Sequence, residues 1–111
     1  MHIKHLEKGF HYTDQEMLTI ATKIGRLATY CSRIKDESSI IRIDAERRKT
    51  EKKNDQMKVS ITVELPEKWL RAESRRADVI DAVDRCIEKL EPQVKKYKEK
   101  KLMRSKKARS R

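Results

Sequence analysis

The residues of this chain best suited to bind another molecule are the lysines of its last third. They stand close together with few acids between them, at Lys89, Lys95, Lys96, Lys98, Lys100 and Lys101. Such a block repels itself unless it meets a polyanion, and lysine is a common ligand of phosphate groups. The cluster therefore favours a nucleic acid as partner. An acidic protein, an anionic membrane surface or a simple solubilising tail are the alternatives.

A second pair of cations, Lys23 and Arg26, lies one helical turn apart in a segment of helical periodicity. The pattern places both opposite the apolar stripe of that helix, where they could bind adjacent phosphates. From spacing alone, an ordinary solvated helix face explains the pair slightly better.

Other chemistry is not indicated. His2 and His5 stand three apart on a predicted strand and therefore point to opposite faces, which disfavours a shared metal ion. The chain has only two glycines, so it has no glycine-rich phosphate loop. Cys31 and Cys86 fall on apolar helical stripes and are predicted to be buried, unreactive thiols. We predict a protein that is not an enzyme and has no catalytic residue, metal, cofactor or small-molecule substrate.

The positive charge is concentrated at the C-terminal end. Residues 92–111 contain ten Lys or Arg and one acid, Glu99, and so carry +9 of the net charge of +11. We expect one domain over residues 1–101 and a basic tail, 102–111, that is disordered unless RNA orders it. No apolar run is long enough for a membrane span or a signal segment, which predicts a cytoplasmic protein without a membrane partner.

The element that carries Lys23 and Arg26 has a clear start. Thr13 and Glu16 have the spacing of a capping box. The predicted core-facing residues recur at helical spacing: Met17, Ile20, Ala21, Ile24, Leu27, Ala28 and Cys31. Gly25, inside this helix, is compatible with close packing there or with an earlier helix end.

Strands are predicted on both sides of that helix. Residues 2–8, 40–47, 57–65 and 69–74 alternate between apolar and polar residues, and residues 48–56 form a polar connection. The last helix has an apolar stripe of Val79, Val83, Cys86, Ile87, Leu90, Val94 and Tyr97. Pro92 inside it should kink or restart the helix near residues 90–91.

This order predicts an α+β fold, a two-layer βαβββα sandwich. A strand–helix–strand start requires a parallel strand pair, whereas the later short connections suit antiparallel hairpins. Because each helix has one apolar stripe, both should cover the same face of a four-stranded mixed sheet. Phe10 and Trp69 do not make the paired aromatics of a single-strand RNA platform, so recognition of folded RNA by shape and phosphate fits best.

Several segments resemble the ribosome hibernation promoting factor family, also called ribosome-associated inhibitor or sigma-54 modulation protein. The similarity spans roughly residues 1–100. It is carried by Lys23-Ile24-Gly25-Arg26-Leu27, Leu70-Arg71-Ala72-Glu73, Lys89-Leu90-Glu91 and Lys96-Tyr97-Lys98.

The resemblance implies a domain shaped like double-stranded RNA-binding domains that binds small-subunit ribosomal RNA and neighbouring ribosomal proteins. It implies occupation of the tRNA sites and mRNA channel, in competition with tRNA and mRNA, which keeps idle ribosomes inactive. By position, Lys23, Arg26, Lys89, Lys95, Lys96 and Lys98 match RNA-contacting residues of the family. Lys100 and Lys101 are added from the charge pattern.

The chain departs from the family at two positions. Pro92 stands where many members have a basic residue, and Arg76 replaces a serine that often caps the second helix, so Ser74 is expected to cap it instead. The resemblance is to a short-type member or to the N-terminal part of a longer one, and without the dimerising domain of the longer members we expect a monomer. Two alternatives remain: a generic double-stranded RNA-binding protein, and a protein-interaction adaptor such as a transcription modulator.

Overall fold

Six elements make up the fold. The structure, a computed structural model, describes residues 1–30, 34, 39–49, 55–65 and 68–109, and of residues 101–109 only the helical backbone. The elements are β1 (His2–Lys8), α1 (Asp14–Ala28), β2 (Ile40–Arg47), β3 (Met57–Glu64), β4 (Trp69–Arg76) and α2 (Val79–Arg109). The predicted βαβββα order is confirmed.

The four strands form one mixed sheet in the order β1-β2-β3-β4. β1 runs parallel to β2, and the other two neighbouring pairs are antiparallel. A parallel pair needs a long crossover connection, which contains α1, whereas the antiparallel pairs need only short connections. The predicted topology is therefore confirmed, and β4 extends two residues beyond its predicted end.

Strand alternation gives the sheet one buried face and one open face. Each central strand turns its apolar residues toward the helices, and both helices contribute to the same core. The fully buried residues of this core include Ile20, Ile24, Leu27, Ile41, Ile43, Val59, Ile61, Val63, Val83, Leu90 and Val94. The two-layer sandwich with both helices on one face is confirmed.

Helix α1 is rotated about its axis relative to the prediction. Ile20, Ile24, Leu27 and Ala28 are buried as expected, but Met17 is 38% exposed and Ala21 is exposed as well. Their assignment to the core was wrong. The flank of α1 that carries Lys23 faces α2, where Lys23 pairs with Asp84. This orientation leaves Met17 and Ala21 in solvent.

The start and middle of α2 also differ from expectation. Ser74 does not cap the helix. It is a residue of β4, and its hydroxyl donates to the Ala82 carbonyl oxygen at 2.5 Å instead of accepting from a backbone N–H at the start of α2. The helix does not restart at Pro92 but continues through it, because Leu90 and Val94 are fully buried on either side of the proline. A bend at Pro92 stays a prediction.

Some predictions concern residues outside the described ranges. Cys31, most of the connection after β2 and the turn at 66–67 are among them. Cys86 is buried as predicted, and its burial raises the pKa of the thiol. Residues 102–109 are helical, and the disorder of segment 102–111 off the ribosome stays a prediction about the free protein in solution.

Candidate RNA-binding surface

Arg26 reaches solvent from the last turn of α1. The helix is fixed at its other end by the predicted capping box: the Thr13 side chain accepts from the Glu16 backbone N–H at 3.1 Å, and the Glu16 side chain accepts from the Thr13 N–H at 2.9 Å. The Arg26 side chain is exposed and has no ion pair within the described part of the chain. Its guanidinium is therefore available to a phosphate.

Lys23 does not stand on an open helix face. Its ammonium is in an ion pair with the Asp84 carboxylate of α2, and its side chain is only 19% exposed. The predicted placement opposite the core was wrong, because α1 turns this flank toward α2. The Lys23 charge is already matched by a carboxylate.

Lys95 is also engaged between the helices. Its Nζ lies 3.1 Å from Glu91 Oε1 and 4.9 Å from the centre of the Tyr30 ring. Hydrogen bonds from Lys95 and then from the Tyr30 hydroxyl hold the pKa of Glu91 below its usual value. The same contact with Glu91 raises the pKa of Tyr30. Lys95 and Glu91 thus fasten the end of α1 to α2.

Lys89 contacts the outer edge of the sheet. Its Nζ donates to the Glu73 carbonyl oxygen at 2.7 Å, and one turn on, Gln93 Nε2 donates to the Arg71 carbonyl oxygen at 3.0 Å. An edge strand otherwise presents unpaired backbone groups, so these two side chains cover part of the β4 edge. Lys89 is exposed, its hydrogen-bond partner is a neutral carbonyl, and it has no ion pair among the described residues.

Three further lysines of the predicted set, Lys96, Lys98 and Lys100, are exposed. None of them has an ion pair among the residues that the structure describes. Arg85, Lys89, Lys96 and Lys100 follow each other at intervals of four, seven and four residues, which places them along one flank of α2. We call these four residues the α2 cation flank. Lys98 lies on a different side of the helix, and the side chain of Lys101 is outside the described part.

A group of cations on β4 was not predicted. Arg75 and Arg76 lie beside Lys89 around a shallow depression, and Arg71 stands further along the same strand. The available signal was the alternation of β4, which turns residues 69, 71, 73 and 75 away from the core.

The described residues contain no group of three or more His, Cys, Asp or Glu placed to hold a metal ion. His2 and His5 lie on opposite sides of β1, as predicted, and burial lowers the pKa of His5. None of the described helices is both long and apolar enough to cross a membrane.

Comparison with known proteins gives two kinds of match. Residues 4–102 match the family model described as Sigma 54 modulation protein / S30EA ribosomal protein. The Thermus thermophilus Protein Y N-terminal domain superposes with a TM-score of 0.71 at 26% identity, covering 87% of this chain and 99% of that one. A ribosomal subunit interface protein from Coxiella burnetii gives a TM-score of 0.71 at 28% identity, with coverages of 88% and 98%.

Proposed function

This chain belongs to the Sigma 54 modulation protein / S30EA ribosomal protein family, and from that membership we propose that it inhibits translation by occupying the small ribosomal subunit. The family consists of ribosome-associated modulation factors and is not an enzyme family. In the proposal, the protein binds ribosomal RNA across the tRNA sites and the mRNA channel and keeps idle ribosomes inactive.

The observation that carries the proposal is the α2 cation flank. Lys89, Lys96 and Lys100 point away from the core and have no carboxylate partner within the described ranges. Arg85 of the same flank is paired with Glu88, and Lys23 and Lys95 are also paired with acids. A row of unpaired ammonium groups on a rigid helix suits the phosphates of a folded RNA.

The proposed roles of the cations differ accordingly. We assign direct phosphate contacts to Arg26, Lys89, Lys96, Lys98, Lys100 and Lys101. Lys23 acts as a positioning residue, because its ion pair with Asp84 joins α1 to α2. Lys95 is also a positioning residue: it is paired with Glu91 within α2, and its ammonium lies over the ring of Tyr30, which follows α1. The neighbouring ribosomal proteins complete the proposed binding site, to which the chain binds as a monomer.

Inhibition in this proposal is stoichiometric, because the protein makes and breaks no bond. It prevents tRNA and mRNA from binding only while it is bound itself. No small molecule, metal or membrane takes part.

A competition experiment tests the proposal. Purified small subunits are incubated with the protein and pelleted, with and without prior saturation by mRNA and tRNA. We expect the protein to co-sediment with empty subunits and to be lost from saturated ones. Equal co-sedimentation with both would place the protein elsewhere on the ribosome and contradict the proposal.

A naked RNA duplex of similar length separates this function from generic double-stranded RNA binding. We expect the duplex to bind more weakly than the small subunit at equal ionic strength. Equal affinity would favour the generic binder. A protein that still co-purifies with this chain after ribonuclease treatment would instead favour a protein-interaction adaptor.

A further inference from the structure

The open face of the sheet carries an exposed tryptophan in line with two arginines. Trp69, Arg71 and Arg75 all lie on β4, two and then four residues apart, so their side chains leave the same face of the strand. Trp69 is 67% exposed, and the side chains of Arg71 and Arg75 are 64% and 48% exposed. A tryptophan exposed to this degree contributes little to the core and leaves an aromatic surface in water.

One carboxylate serves three cations in this region. Glu73 Oε1 lies 3.3 Å from Lys58 Nζ and 3.9 Å from Arg75 Nη2, and Glu73 Oε2 lies 3.9 Å from Arg71 Nη2. A single negative charge cannot neutralise three positive ones. The two guanidinium contacts are also too long for hydrogen bonds, so both groups keep N–H donors free for another acceptor.

The β4 arginines are continuous with the α2 cation flank. Three cations, Arg75, Arg76 and Lys89, line one depression where the edge of β4 meets α2, and they outnumber its two acids, Asp55 and Glu73. Positive charge therefore extends from α2 around the sheet edge to the open face. Trp69, the first residue of β4, lies at the far end of this cationic region.

We propose that the open face of β4 is a second RNA-binding surface, which takes a single-stranded segment. Trp69 stacks on one base. Arg71 and Arg75, further along β4, bind phosphates of the same RNA segment. Two residues of a β-strand advance by about 6.8 Å, which is close to the length of one extended nucleotide. With one aromatic residue the surface holds a single base, and its affinity comes mainly from the phosphates.

An RNA strand fits this surface better than an acidic protein segment does. Guanidinium groups bind phosphate through two parallel hydrogen bonds, and a tryptophan face stacks on any base irrespective of sequence. Only a nucleic acid offers both a phosphate and a flat ring in each repeating unit. Trp69 and Arg71 lie on the sheet face opposite the helices, whereas the cations proposed to bind the small subunit lie on the helices. Although the two surfaces meet at the edge of β4, variants at Trp69 and Arg71 test the second one separately.

Trp69 is the only tryptophan of the chain, so its fluorescence reports on this surface alone. The full chain is titrated with unstructured oligouridylate of about ten nucleotides, a length within the range of single-strand binding sites. We expect saturable quenching. The double variant Arg71→Ala, Arg75→Ala should bind the oligonucleotide about tenfold more weakly, because it loses two phosphate contacts.

Lys4→Ala with Lys8→Ala is the matched control, because both lysines leave the same sheet face from β1 and the charge change is equal. This control should shift the affinity by less than the β4 variant does. Trp69→Ala, followed by anisotropy of a labelled oligouridylate, should also weaken binding, whereas Trp69→Phe should retain part of the affinity.

Three results would overturn the proposal: no quenching, equal losses in the β4 variant and its control, or equally strong quenching by a polyglutamate peptide. The last result would make the surface a site for acidic proteins. Small-subunit binding of the unaltered chain is measured in parallel. If that binding is absent while quenching persists, the proposed function fails and the second surface stands.

Discussion

The two cations of α1 have different environments although they lie only one turn apart. Lys23 is mostly buried against Asp84, and Arg26 is exposed without an ion pair in the described ranges. An exposed arginine can meet a phosphate without giving up an existing partner. Lys23 would first have to leave its carboxylate, so the two residues should contribute differently to RNA binding.

A double-mutant cycle of Lys23→Ala and Asp84→Ala tests this difference. We expect a coupling free energy of unfolding of about 0.5–1 kcal/mol, because the pair is only partly exposed. Urea denaturation measures it. Arg26→Ala, the control, should leave the unfolding free energy nearly unchanged but weaken small-subunit binding more than Lys23→Ala does. Zero coupling together with the reverse order of affinities would contradict the assigned roles.

Sequence periodicity could not predict the position of Lys23. The spacing of Ile20, Ile24 and Leu27 shows which residues share a face, but it does not fix the rotation of the helix about its axis. The rotation is associated with Asp84, 61 residues further on, which pairs with Lys23 only in the folded chain. The exposure of Arg26 was predictable, because Arg26 lies opposite the apolar stripe of α1 in both the predicted and the observed rotation of the helix.

At the scale of elements, Gly25 is a weak point of α1. A methyl group built at Gly25 meets no atom within 4 Å outside the local helix among the residues that the structure describes, so no described neighbour requires the glycine by close packing. Because glycine in a helix is less favourable than alanine, Gly25→Ala should stabilise the protein by about 0.5–1 kcal/mol.

Ala21→Gly is the matched control for this substitution, since Ala21 is exposed in the same helix. It should destabilise the protein by a similar amount. Urea midpoints of the two variants and the unaltered chain measure both effects. A destabilised Gly25→Ala variant would show that another constraint acts at this position.

Most elements were predictable because their signals are local. Thr13 and Glu16 identify the start of α1, and the strands follow from their alternation. The capping role of Ser74 and the helix restart at Pro92 were wrong, because packing overrides local preference there; a kink at Pro92 stays a prediction. Ser74 is drawn into the core beside Ala82, and the buried Leu90 and Val94 hold α2 together across the proline.

At the scale of the molecule, charge is divided between a nearly balanced domain and a strongly cationic end. Residues 92–111 carry +9 of the total +11, and this asymmetry was readable from the sequence. The position of the β4 arginines beside Lys89 was not readable from the sequence, because it arises only when α2 lies against the sheet edge. Lys89 and Gln93 mark that contact.

The central claim is that cations of α2 bind ribosomal RNA by displacing counterions from its phosphates. Its most direct test is the affinity for small subunits over a series of KCl concentrations at constant Mg²⁺. The unaltered chain is compared with the triple variant Lys96→Ala, Lys98→Ala, Lys100→Ala. A control triple, Lys4→Ala, Lys8→Ala, Arg42→Ala, removes equal charge from the open sheet face.

We predict that the α2 variant binds more weakly and that its slope of log affinity against log salt is shallower by about 2–3, since each neutralised phosphate contributes roughly 0.7–0.9. The control slope should change less. An α2 variant with the same slope and affinity as the unaltered chain would contradict the claim.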